Sequence, residues 1–224
     1  PIGQRATTRD LKVLIGVGSP DKIELEKGLT RWSGVSWYLD DTFTSDREAG
    51  LPKVWRLGSK PNLKQMHHDA RQNVSATNVD AVLEEEIRKA KALTDGARGA
   101  GARIHVLPAR PADIEDDGEF HYAVLGPKAA SNGKPSAEAR RYIDETTGSD
   151  KPRAQNRNAV VLAVPSGDGI AVAREKVRDL LGWEKVREML KERTDIDTAA
   201  TTRLEGNLRA ARGEMGSQIV MAYS

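Results

Sequence analysis

Residues 159–164, Ala-Val-Val-Leu-Ala-Val, are the feature that most narrows the choice of fold. Six apolar residues without alternation fit a strand covered on both faces, as in a sheet flanked by helices. Pro165-Ser-Gly-Asp-Gly169 follows as a turn, and then the longest helical stretch of the chain, residues 170–191, which places Ala173, Val177, Leu180, Leu181 and Trp183 on its buried side. Upstream, Arg103-Ile-His-Val-Leu107 and Phe120-His-Tyr-Ala-Val-Leu125 read as two further strands, and residues 136–146 as a short helix. Strands alternating with helices make the second part of the chain an α/β domain with a small mixed sheet.

The first part follows another pattern. Residues 10–18 form a short helix with Asp10 or Thr8 as its cap, and Ser19-Pro20 opens a second carrying Ile23, Leu25, Leu29 and Trp32, with Lys27 and Arg31 on another face. Two aromatic stretches, Ser36-Trp-Tyr-Leu39 and Lys53-Val-Trp-Arg-Leu57, flank a polar segment and read as a hairpin in which Trp37 and Trp55 pair across the strands. Helix, helix and a hairpin with a basic second strand is the latter part of a winged helix. Asn62 caps a helix from Leu63, and residues 78–94 form an amphipathic helix with Glu84–Arg88 and Glu85–Lys89 spaced as ion pairs. Gly96, Gly99 and Gly101 open a loop. The expected organisation is a winged-helix-like segment over residues 1–62 and an α/β domain over residues 63–224, mixed α+β in class.

Composition removes whole classes of function. The 224 residues include no cysteine, which excludes disulfides, thiolate nucleophiles and cysteine zinc sites. No apolar run approaches the roughly 18 residues of a membrane span, so no membrane partner and a cytoplasmic location are expected. Lys and Arg number 35 against 33 Asp and Glu, an excess too small to mark a nucleic-acid binder. The excess is local instead. Between residues 51 and 72, Lys53, Arg56, Lys60, Lys64 and Arg71 face only Asp69, beside Trp55, as on a phosphate-facing surface. Pro1 opens the sequence without a signal peptide, as in a piece of a longer polypeptide.

The chemistry-bearing motifs fail on spacing. Gly16-Val-Gly18 lacks the third glycine of a dinucleotide fingerprint. Gly133-Lys134 is followed by Pro135, and Lys128 stands where a phosphate-cradling loop needs glycine. Asp113, Glu115, Asp117 and Gly118 match the start of a calcium loop, but Val124 takes the position of its bidentate Glu, leaving an acidic connector. His105 and His121 lie on neighbouring strands and could meet, with Asp113 or Glu115 nearby, as a metal site or the centre of a hydrolase. Without a spacing that demands either, no cofactor, metal or catalytic residue is expected. Met66, Trp32 and Trp183 read as core.

Four segments carry a resemblance: Trp37-Tyr-Leu-Asp-Asp, Trp55-Arg-Leu-Gly-Ser-Lys-Pro-Asn-Leu63, Arg157-Asn-Ala-Val-Val-Leu-Ala-Val-Pro165 and Leu181-Gly-Trp-Glu-Lys-Val186. In this order they resemble large AAA+-type P-loop ATPases of bacterial phage-defence islands that carry a domain of unknown function. The resemblance implies a region that follows the ATPase core, so the upstream P-loop segment is an expected partner. That family's phosphate-binding lysine and magnesium-binding acid have no counterpart here. The expected function is a non-catalytic accessory part that binds duplex DNA through Arg31, Lys53, Arg56, Lys60 and Lys64. The alternative is a protein-interaction module docking on the ATPase core or a partner subunit.

Overall fold

The computed structural model describes residues 5–18, 21–36, 39, 47–48, 50–58, 62–145, 155–191 and 198–224. Its α/β class agrees with the sequence. Contacts divide the chain into two compact units that are discontinuous in sequence: residues 1–73 with 182–206, and residues 74–181 with 207–224. The split expected at residue 62 kept both long C-terminal helices in one domain; in the structure each is shared between the units.

In the first unit, β1 (Arg5–Thr7) leads directly into α1 (Thr8–Gly16). The cap is Thr7, not Asp10 or Thr8. Its hydroxyl accepts the Asp10 N–H while Asp10 accepts the Thr7 N–H, so two otherwise orphaned donors are satisfied reciprocally. In α2 (Lys22–Val35), Asp21 is the cap and takes the N–H groups of Ile23 and Glu24; the expected Ser19 and Pro20 lie outside the described residues. Next come β2 (Arg47–Glu48), β3 (Leu51–Pro52), which pairs with it, and β4 (Val54–Arg56). Gly50, at φ +84°, makes the turn in the left-handed region that favours glycine.

The partner of β4 is β1, antiparallel, with Ala6 opposite Trp55. Beyond β4, Leu39 bridges antiparallel to Leu57. Among the described residues, the expected aromatic hairpin is seen as the Leu39–Leu57 bridge, and the strand that pairs with β4 is β1. Trp37 is outside the described residues, and Trp55 stacks instead on Trp32 of α2, with centroids 5.0 Å apart and planes 10° from parallel. The Trp55 indole N–H donates to Thr8, which donates in turn to the Pro52 carbonyl. Leu29, Leu39, Leu51 and Trp55 form this core, with Leu11 and Leu25 against it. In α3 (Leu63–Gln72), capped by Asn62 as expected, His67 stacks on Trp183 at 4.0 Å.

The second unit begins with α4 (Ala76–Lys89), capped by Ser75 and so two residues earlier than expected. Residues Asp95–Gly99, expected as loop, form the one-turn helix α5. A three-stranded parallel sheet follows: β5 (Arg103–Val106), β6 (His121–Val124) and β7 (Val160–Ala163), in that order. Between β6 and β7 lies α6 (Ala137–Asp144), capped by Ser136. Register aligns Arg103, His121 and Val160, so these share one face with His105, Ala123 and Leu162. Ala123 and Val160 of that face join Ile114, Leu125, Ala139 and Tyr142 in a core cluster. β7 is an edge strand and leaves Val161 43% exposed, so its apolar run is covered less fully than expected.

The last helices are α7 (Gly167–Lys191) and α8 (Thr198–Met221). Within the second unit, Arg174 pairs with Asp80 of α4 at 2.7 Å, and Lys176 with Glu214 of α8 at 2.7 Å. Residues 222–223 return to the strand ends. The Ser166 N–H donates to the Ala222 carbonyl, and the Tyr223 hydroxyl to the Leu125 carbonyl. No helix among the described residues is long and apolar enough to cross a membrane.

Candidate nucleic-acid interface

The expected contact residues fall on three elements. Arg31 lies on α2, exposed, some 200° round the helix from buried Leu29 at 100° per residue, and on the same side as exposed Lys27. Glu24, also exposed, shares that face and dilutes its charge. Lys53 is exposed between β3 and β4, its carbonyl taking the Thr8 N–H. On β4, Trp55 is buried, and Val54 and Arg56, on the other face by the period of two, are half-buried, with the Arg56 Nε enclosed. Arg56 sits directly across from Arg5 of β1. Lys64 is exposed in the first turn of α3. Lys60 lies outside the described residues.

Two further cations lie beside the expected contact residues. Arg5 joins Arg56 only because β1 pairs with β4, a contact spanning about fifty residues that no local pattern announces. Lys27 was legible from its four-residue spacing to Arg31 but falls outside the 51–72 run. The structure thus brings together Arg5 with Arg56 and Lys27 with Arg31, in place of one basic strand.

The histidine expectation takes a definite form. His105 and His121 meet through Nε2 and Nδ1 at 2.9 Å, with rings 5.2 Å apart. Their acidic partner is Asp117, not Asp113. Asp117 lies 2.9 Å from His121 Nε2 and also holds Arg103 at 2.6 Å. Asp113 turns to Arg110, accepting its backbone N–H. The bond from His121, then the Glu119 N–H, hold the Asp117 carboxyl down at about 2. Burial, then neighbouring His121, hold His105 below its ordinary 6.5. No three His, Asp or Glu side chains among the described residues are placed to hold a metal ion.

No protein-family model, curated protein or solved structure matches the chain significantly.

Proposed function

We propose that the chain is a non-catalytic accessory region whose first unit binds duplex DNA as a winged helix, in the cytoplasm and in the service of an ATPase. The observation that carries the reading is the order β1, α1, α2, ribbon, with β1 paired antiparallel to β4 and Leu57, just past β4, bridged antiparallel to Leu39. A winged helix joins its strands in this way, and its second helix here presents Lys27 and Arg31 outward. Phosphate contacts from such a face hold DNA mainly by releasing counterions, so affinity falls steeply with salt.

The test is fluorescence anisotropy with a labelled duplex at two salt concentrations. Wild type is expected to bind saturably at low salt. Reversing Lys27, Arg31 and Lys53 to Glu abolishes binding, while each single neutralisation lowers the slope of log K against log salt by about one. Absence of binding at low salt defeats the reading.

One observation favours the alternative of a protein-docking module. Trp55 does not supply its surface, being 3% exposed. Helix α1 and its C-terminal cap do: no residue of the helix is buried, and Val13, Leu14 and the cap residue Val17 are 61%, 74% and 89% exposed. Apolar exposure of this kind marks an interaction face. Co-purification with the ATPase core that survives reversal of Lys27 and Arg31 but is lost in Leu14→Lys/Val17→Lys selects this reading.

A further inference from the structure

The second unit holds a cleft that the DNA reading leaves unused. β5 and β6 run parallel and end side by side, where the Leu107 N–H donates to the Val124 carbonyl at 2.9 Å. Beyond that edge lies a cavity of about 370 Å³. Leu107, Pro108, Leu125 and Pro127 give it apolar surface. Glu84 and Arg88, one turn apart on α4, contribute to the lining, as do Glu138 and Tyr142, one turn apart on α6, and Lys128. Leu107 holds a left-handed backbone, φ +50°, which a non-glycine residue adopts at a cost. A side chain at Gly126 would begin 3.2 Å from the Leu107 Cδ2, so glycine keeps this end of the cleft open.

Some of the polar groups are already engaged. The Tyr142 hydroxyl donates to the Pro108 carbonyl at 2.7 Å, and Glu138 holds Arg141 at 3.1 Å. Others are not. Lys89 is shared by Glu85 and Glu86, yet Glu84 and Arg88, equally spaced for an ion pair, form none among the described residues. Lys128 forms none there either. Two cations and one carboxylate thus line a cleft at the carboxyl ends of parallel strands, where open α/β sheets take their ligands.

We infer that this cleft binds a small phosphomonoester built on a hydroxylated ring, up to the size of a nucleoside monophosphate. A phosphomonoester carries nearly two negative charges at neutral pH and balances Arg88 and Lys128 together, which a single carboxylate does not. Glu84 accepts from a hydroxyl or amino group of the ring, and the ring rests on Leu107, Leu125 and Pro127. The volume lies near the low end of the roughly 300–1,000 Å³ range of small-molecule sites, enough for one nucleoside but not a dinucleotide.

The test is isothermal titration calorimetry of the full chain with 5′-AMP, ribose 5-phosphate and inorganic phosphate. At least one ester is expected to bind saturably and more tightly than inorganic phosphate, and the better ester tells nucleotide from sugar phosphate. Arg88→Ala and Lys128→Ala each weaken the ester at least tenfold; Glu84→Gln weakens the ester and leaves inorganic phosphate unchanged. Should a variant misfold, amide NMR of the wild type decides: 5′-AMP or ribose 5-phosphate shifts Leu107, Gly126 and Lys128. Failure of both esters to saturate, affinity retained in both Arg88→Ala and Lys128→Ala, inorganic phosphate binding as tightly, or shifts confined elsewhere each overturn the inference. DNA anisotropy is unchanged in all three variants, so this inference and the winged-helix reading stand or fall separately.

Discussion

His121 is 1% exposed and lies between two polar partners, Asp117 and His105. His105 and Asp117 make stability depend on pH in the same direction. His105 is held below 6.5, so as pH falls through that value the unfolded chain takes up a proton before the folded one, and stability drops. Asp117 is held at about 2 against an ordinary 3.8, so its contribution is present above pH 4 and is lost between about 4 and 2. Urea midpoints measured from pH 7 to 2 are expected to fall in two steps; His105→Gln reduces the upper step and Asp117→Asn the lower, to which Asp10, Asp113 and Glu145, also held below their ordinary values, contribute. Two glycines separate packing from propensity. A Cβ at Gly169 would lie 2.7 Å from the Ala222 Cα, backbone that cannot swing away, so Gly169→Ala is expected to cost about 1–3 kcal/mol. A Cβ at Gly206 in α8 meets nothing within 4 Å, so Gly206→Ala is expected to gain up to about 1 kcal/mol. Thermal melts of the two variants move in opposite directions.

At the scale of elements, the periods were legible and the caps only in part. The Asn62 cap and the apolar stripe of Val79, Leu83 and Ile87 announced their helices because each signal is local, whereas Thr7, Asp21 and Ser75 cap helices whose starts the sequence places elsewhere. β1 was not legible. Three residues show no period, and the strand exists only through its pairing with β4 some fifty residues away. The basic run from 51 to 72 is contiguous in sequence, but its described cations fall on separate elements, Lys53 between β3 and β4, Arg56 on β4, and Lys64 and Arg71 on α3. Trp55 was assigned a cross-strand partner and found Trp32, because the helix packs where the alternation aims the ring. α5 runs against its glycines, held by the Arg98 N–H to the Thr94 carbonyl and by the N–H groups of Ala100 and Ala102. Since Thr7 both ends β1 and caps α1, Thr7→Ala is expected to lower stability by about 1 kcal/mol, measurable by denaturant unfolding, with the Asp10→Ala partner showing a similar loss.

For the whole molecule, the discontinuous units limit how the chain can be divided. A fragment of residues 1–73 lacks the stretch that carries Trp183, the ring stacked on His67, and Gly182, where a Cβ would sit 3.0 Å from the same imidazole. Such a fragment is expected to bind a hydrophobic dye and to melt without cooperativity by circular dichroism, in contrast to the full chain. The bond from Tyr223 to the Leu125 carbonyl spans 98 residues. At translation speeds of roughly 5–20 residues per second, the central strand leaves the ribosome about 5–20 s before its closing partner is made. The carboxyl end of the parallel sheet therefore waits without this bond while the intervening chain is made, and a chaperone that shields nascent strands has its longest opportunity there.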